Sequence, residues 1–160
     1  MASVLIIGDL SVVRVWMDAL ASYGHTVEHS AGGLEFQERF DGDPVDIFIV
    51  EIANADWGEA MLIPQARAKW PDCKVIAVAA NYGFRSSAVF QMGLWSPDQL
   101  VLKPVNLRVL TANVAFLWAQ IRTTRIRRAL PTMLRNDFSA QPAMSLSEDG
   151  RIGPERRRLS

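Results

Sequence analysis

Short apolar runs alternate along the first 120 residues with stretches in which apolar side chains recur every three or four positions. Continuous apolar runs of this length are typical of strands buried on both faces of a sheet. They predict five strands, over residues 4–7, 25–29, 45–52, 74–79 and 99–102.

The stretches between these runs have the periodicity of helices with one apolar face. They predict helices over residues 12–20, 34–40, 57–69 and 84–92, and from Asn106 to at least Gln120. Ser11 is the expected N-cap of the first helix, and Gly24 is its expected C-terminal stop. Pro64 should delay or kink the third helix, because proline has no backbone N–H to donate.

Strands that alternate with helices predict an α/β fold, with a doubly wound, five-stranded parallel sheet and helices on both faces. In such sheets, sites lie beyond the carboxyl ends of the strands, near a change in strand order. The candidate residues are therefore those at or just after the predicted strand ends: Gly8, Asp9, Glu51, Ala79 and Lys103.

The 17 acidic and 17 basic side chains are unevenly distributed. Residues 1–120 hold 13 acids and 8 bases, whereas residues 121–160 hold 4 acids and 9 bases, all of them arginine. This asymmetry predicts a domain over 1–120 and an Arg-rich C-terminal extension over 121–160. We expect the extension to be helical as far as Leu130, then disordered or loosely docked, because large apolar residues become few.

Several classes of protein are not favoured by the sequence. No apolar run approaches the roughly 18–20 residues that a membrane span needs, and the first residues do not form a secretory signal. Cys73 is the only cysteine, so the chain has neither an internal disulfide nor a cysteine-rich zinc site. These features predict a cytoplasmic protein without membrane contact.

Three segments together resemble the receiver domain of bacterial two-component response regulators. They are Val-Leu-Ile-Ile-Gly-Asp at 4–9, Val-Asp-Ile-Phe-Ile-Val-Glu-Ile at 45–52, and Leu-Val-Leu-Lys-Pro at 100–104. The resemblance covers residue 3 to about residue 120. It implies the receiver fold and a part in phosphorelay signal transduction.

In that family, two acids after the first strand hold Mg²⁺, and an Asp after the third strand accepts a phosphoryl group. A Ser or Thr after the fourth strand, an aromatic residue in the fifth strand and a Lys before a Pro complete the switch. Asp9 and Lys103 match this pattern. The other positions depart from it: Gly8 replaces the first acid, Glu51 the acceptor Asp, Ala79 the Ser or Thr, and Leu100 the aromatic residue.

These four departures, taken as independent of one another, indicate a receiver that is not phosphorylated and is not an enzyme. Phosphoryl transfer depends on positioning, and the carboxylate of Glu51 lies one methylene farther out than that of Asp. Mg²⁺ requires strict octahedral oxygen ligation, so no cofactor is expected beyond a weak Mg²⁺ site at Asp9 and Glu51. The alternative is a working phosphoacceptor that uses Glu51 or Asp9.

A pair between Glu51 and Lys103 has two interpretations. It is either purely structural, or it holds the domain in an active-like state by placing a carboxylate where a phosphoryl group would lie. Ala79 and Leu100 lack the groups through which the family couples the site to its surface, and this favours the structural interpretation.

A receiver without an output domain must act through another protein. The resemblance therefore implies a protein partner: a histidine kinase, another receiver or an effector. The family uses the face formed by the fourth helix, the fifth strand and the fifth helix (84–92, 99–102 and from Asn106 here), and this face is also the expected surface of a homodimer. Nucleic-acid binding through the arginines of the extension is not favoured, because so few charges without aromatic platforms bind weakly.

Other polar residues have simpler interpretations. His25 and His29 flank the second predicted strand and are expected to be surface or edge histidines. Asp41, Asp43 and Asp46 are expected to form a solvated turn, since the Gly and distal Glu of a calcium loop are missing.

Overall fold

A computed structural model describes residues 1–38, 42–53, 58–80 and 96–130. Within them the sheet contains five strands: β1 (Ser3–Ile7), β2 (Thr26–Ser30), β3 (Ile47–Ile52), β4 (Lys74–Ala79) and β5 (Gln99–Leu102). All neighbouring strands are parallel, in the order β2-β1-β3-β4-β5. The predicted five-stranded parallel sheet is confirmed.

The helices among the described residues are α1 (Leu10–Ser22), α2 (Gly33–Glu38), α3 (Leu62–Lys69) and α4 (Leu107–Ala129). A 3₁₀ turn, Glu59–Met61, precedes α3. The helix predicted at 84–92 lies outside the described residues, as does the part of the extension predicted to be disordered or loosely docked. None of the described helices is both long and apolar enough to cross a membrane.

The sheet has a core on each face, because successive strand side chains point to opposite sides. The core that α1 and α4 share with the sheet includes Val13, Trp16, Ile49, Ile76, Leu110 and Leu117. The core that α2 and α3 share with the sheet includes Phe36, Phe48, Val50, Ile63, Ala66 and Ala77. The predicted doubly wound arrangement, with helices on both faces, is therefore confirmed.

The ends of the helices follow local chemistry. The α1 N-cap is Asp9 rather than Ser11: the Asp9 carboxylate accepts from the Ser11 N–H at 2.8 Å, so the helix begins at Leu10. At the other end, Gly24 has a φ of +86°, and its N–H donates to the Ala21 carbonyl, as expected for a glycine stop. Pro64 lies in the first turn of α3, where no intrahelical bond is lost, and α3 starts later than residue 57.

The chain divides into two compact units, Met1–Arg125 and Ile126–Ser160. The structure describes residues 126–130 of the second unit. The helix α4 runs without interruption from Leu107 to Ala129, past the boundary predicted after residue 120. That boundary stays a prediction.

Candidate functional site

A cavity of about 540 Å³ opens at the carboxyl ends of β1 and β3. It lies where the strand order reverses, because β1 pairs with β2 on one side and with β3 on the other. Its lining includes three acidic residues, Asp9, Glu51 and Glu59, and the backbone of Gly8 and Gly32. The sequence placed the candidate site at this end of the sheet.

Glu51 is the central side chain of the site and is only 3% exposed. Its Oε1 accepts from the Lys103 ammonium at 2.5 Å, and its Oε2 accepts from the Asp9 backbone N–H at 3.0 Å. A buried carboxylate is stable when charged and hydrogen-bonded partners replace its lost hydration. Both oxygens of Glu51 are therefore held inside the protein, and they join the ends of β1, β3 and β5.

Gly8 is the residue that gives this carboxylate its space. A Cβ at position 8 would lie 2.5 Å from Glu51 Oε2, 2.8 Å from Glu51 Cβ and 2.9 Å from Val13 Cγ1. Distances under 3.0 Å force something to move, and the Cβ of Glu51 is fixed by its strand. The departures at positions 8 and 51 are thus one coupled change, and the interpretation of them as independent was wrong.

Asp9 has a structural partner of its own. Its Oδ1 accepts from both the backbone N–H and the hydroxyl of Ser11, at 2.8 and 2.6 Å. These two hydrogen bonds hold the pKa of the Asp9 carboxyl below its ordinary value, and the bond from the Ser11 hydroxyl has the larger effect. The Oδ1 of Asp9 therefore stabilises the first turn of α1, although the residue also lines the cavity.

The donor set does not fit Mg²⁺, which needs octahedral oxygen ligation. Glu51 is already bound on both oxygens, and Asp9 caps α1. The carbonyl of Gly8 accepts from His29 Nε2 at 2.8 Å. Among the residues described, no group of three or more His, Cys, Asp or Glu side chains is arranged to hold a metal ion.

Two of the predicted switch positions lie away from the cavity. Ala79 is fully buried in the core that faces α2 and α3, and Leu100 packs partly buried against the same core. Val50 and Ile52 point into this same core, and side chains alternate along a strand. The side chain of Glu51, which lies between them, therefore starts from the other face of the sheet. The structure brings together Gly8, Asp9, Glu51 and Lys103, and it leaves Ala79 and Leu100 in the core.

A second ion pair, at the opposite end of β3, was missed from the sequence. Asp46 is 7% exposed rather than part of a solvated turn, and its Oδ2 accepts from the Ser3 N–H at 2.8 Å. Its Oδ1 accepts from Arg125 at 2.5 Å, and the Arg125 guanidinium lies 5.7 Å from the Trp118 ring centre. The position of Asp46, directly before a buried strand, was the available signal for a paired carboxylate.

No protein-family model matches the chain, and no curated protein matches it. Solved structures do match. A response regulator receiver domain protein (CheY-like) from Methanospirillum hungatei JF-1 is 21% identical with a TM-score of 0.66, covering 78% of this chain and 98% of that one. The response regulator TrrA from Thermotoga maritima, in complex with Mg²⁺-BeF, is 22% identical with a TM-score of 0.62, covering 73% and 99%.

An adenylate cyclase structure from Rhodopirellula baltica is similar as well, with 16% identity and a TM-score of 0.68, covering 79% of this chain and 94% of that one. At these identities the similarity shows the fold. The chain has the receiver domain fold of two-component response regulators.

Proposed function

We propose that this chain is an atypical receiver that is not phosphorylated and works as a protein-interaction module in two-component signalling in the cytoplasm. One observation carries the proposal. The Glu51 carboxylate occupies the space beside Gly8, and it is held there by Lys103 and by the Asp9 N–H.

Phosphoryl transfer would need these contacts to break. A carboxylate that attacks phosphorus must present an oxygen in line with the leaving group, yet neither oxygen of Glu51 is uncommitted. Lys103, which would neutralise the developing charge, is already paired with Glu51. Ala79 has no hydroxyl to donate to a phosphoryl oxygen. Chemistry at Glu51 therefore carries a large reorganisation cost, and we propose that the chain has no enzymatic turnover.

The same contacts support a single conformational state. The pair between Glu51 and Lys103 links β3 to the residue after β5, and the family's two switch positions hold Ala79 and Leu100, which have neither a hydroxyl nor an aromatic ring. We therefore propose that the pair is structural and that the domain presents one permanent binding surface. Its partner would be a histidine kinase, another receiver or an effector.

Protein capture from the source lysate, with the full chain as bait, tests this proposal. The capture is done with and without Mg²⁺ and a small-molecule phosphodonor, and the bound proteins are quantified by mass spectrometry. We expect the same bound proteins in both conditions, because the site does not respond to the donor. A receiver with an intact acceptor Asp is the control, and its bound proteins should change.

Two results would contradict the proposal. A bound set that changes with the phosphodonor would show a working switch. A capture with nothing above the bead background would remove the evidence for an interaction module.

A further inference from the structure

The cavity at the carboxyl ends of β1 and β3 has apolar walls and exposed apolar neighbours. Its walls include Ile7 and Leu62, which are buried, and Leu10, which is 48% exposed. Met61 lies between the lining residues Glu59 and Leu62 and is also 48% exposed. Exposed apolar side chains beside a concave site of about 540 Å³ are typical of a surface that binds a partner.

The charges that line this cavity are all of one sign. The charged lining residues are Asp9, Glu51 and Glu59, and of the residues that the structure describes, no lysine, arginine or histidine lines the cavity. The ammonium of Lys103 is already paired with Glu51. A phosphate or a carboxylate would therefore enter a negative field without a cation to neutralise it, whereas a cation would be attracted.

Asp9 and Glu59 are the carboxylates that can receive a cation. Glu51 uses both of its oxygens within the protein. Asp9 uses Oδ1 to accept from Ser11, and its Oδ2 takes part in neither of those two hydrogen bonds. Glu59 is partly buried in the 3₁₀ turn that precedes α3. Because the bonds from Ser11 lower the pKa of the Asp9 carboxyl, this group is charged at neutral pH.

The apolar walls discriminate between kinds of cation. A Mg²⁺ ion needs oxygen ligands and retains water, so it gains nothing from apolar walls. An arginine side chain has an apolar stem and a planar guanidinium that donates up to five hydrogen bonds and is weakly hydrated. Its stem can pack on Ile7 and Leu62 while its head donates to Asp9 and Glu59. Arginines that fill pockets are also frequent anchors of protein interfaces.

We propose that this cavity is the docking site for a partner protein that inserts an arginine side chain beside Asp9 and Glu59 and packs apolar side chains on Leu10 and Met61. The inference rests on the proposed function and deepens it, because it locates the binding surface and names the chemistry of the partner. The lining is preformed, since Glu51 is held by Lys103 and by the Asp9 N–H.

Binding of short peptides to the full chain tests the proposal directly. The probe is acetyl-Leu-Arg-Leu-amide, and the matched peptide has citrulline, an uncharged analogue of arginine, at its centre. Chemical shifts of the backbone amides are followed by NMR in excess Mg²⁺. A tripeptide covers a small part of an interface, so we expect a Kd on the order of 1 mM. The Arg peptide should bind at least about 5-fold more tightly than the citrulline peptide, with shifts concentrated at the lining residues Gly32, Gly33 and Gly58.

Two pairs of substitutions separate the cavity from the general charge of the body. Asp9→Asn with Glu59→Gln removes two charges from the cavity, and asparagine is still a good N-cap for α1. This variant should bind the Arg peptide at least about 5-fold more weakly than wild type. The control, Asp18→Asn with Glu38→Gln, removes two charges from exposed residues outside the lining. It should change the affinity by less than about 2-fold, because salt screens distant exposed charges. Thermal unfolding shows whether both variants are folded.

Three results would overturn the proposal. Equal binding of the Arg and citrulline peptides would show that the cavity does not select a cation. Equal weakening by the two pairs of substitutions would show attraction to the acidic body rather than a site. A free diamine, 1,4-diaminobutane, that binds as tightly as the Arg peptide would show a site for small amines, to which the apolar neighbours contribute nothing.

This proposal and the proposed function fail in different ways. If the Arg peptide binds in the cavity and the proteins captured from the lysate change with the phosphodonor, the proposed function fails and the docking site stands. If the captured proteins are the same in both conditions and the Arg peptide does not bind, the docking site fails and the proposed function stands.

Discussion

Gly8 and Glu51 share a space that holds one side chain. The carboxylate fills it, and glycine is the residue that leaves it open. Sequence comparison with the receiver pattern identifies both positions as unusual, but it cannot show that one depends on the other. The dependence is steric, and it becomes visible only when the two strand ends lie side by side.

Gly8→Ala should destabilise the protein by about 1–3 kcal/mol, the usual cost of forcing an extra methyl group into a packed site. Chemical denaturation measures the free energy of unfolding. Gly58→Ala is the control: Gly58 has a φ of −55°, and a Cβ there would meet nothing within 4 Å, so its unfolding free energy should not fall.

The same change in a Glu51→Gly background separates the steric conflict with Glu51 from a general effect of alanine. Glycine at position 51 removes both the Oε2 and the Cβ that the added methyl would meet, and only Val13 Cγ1 remains within 3.0 Å, so the cost of Gly8→Ala should fall by at least about 1 kcal/mol. Equal costs in both backgrounds would show that Gly8 and Glu51 are not coupled.

His25 gives the fold a dependence on pH. Its Nδ1 accepts from the Ala2 N–H at 3.2 Å, which requires the neutral ring, and burial lowers its pKa below 6.5. A histidine whose pKa is lower in the folded state than in the unfolded state stabilises the fold at pH values above its unfolded-state pKa. This contribution is lost as the pH falls through its folded-state pKa. The unfolding free energy of wild type should therefore fall more than that of His25→Gln between about pH 7.5 and about pH 5. Parallel pH profiles for the two proteins would remove His25 from this role.

At the scale of elements, apolar runs located the strands and helical spacing located the described helices. Helix ends depended on finer chemistry. Asp9 and Ser11 are both good N-caps, and the sequence does not show which carboxyl or hydroxyl oxygen reaches the first N–H groups. Pro64 is consistent with the late start of α3 because a proline is tolerated in a first turn.

The ion pair between Asp46 and Arg125 connects the start of β3 to the later part of α4. Arg125→Gln should lower the unfolding free energy by about 1 kcal/mol, since the arginine is half exposed and its partner is nearly buried. Arg122→Gln, at another exposed arginine of α4, should change it by less than about 0.5 kcal/mol. Equal effects, measured by chemical denaturation, would show that α4 is not held through Asp46.

At the scale of the molecule, alternation of strands and helices is enough to predict the doubly wound sheet and the edge at which its site lies. The contacts within the site could not be predicted in the same way. The bonds from Glu51 to Lys103 and to the Asp9 N–H join residues 52 and 42 positions apart. Such contacts depend on strand order and side-chain direction, which no local pattern records.

The central claim is that the site is filled by its own carboxylate. The most direct measurement is the intact mass of the full chain after incubation with Mg²⁺ and a small-molecule phosphodonor, beside a receiver with an intact acceptor Asp as positive control. We expect the control to gain one phosphoryl group and this chain to gain none, because Glu51 is bound to Lys103 and Asp9. A phosphoryl group mapped to Glu51 or Asp9 would contradict the claim and establish a working phosphoacceptor.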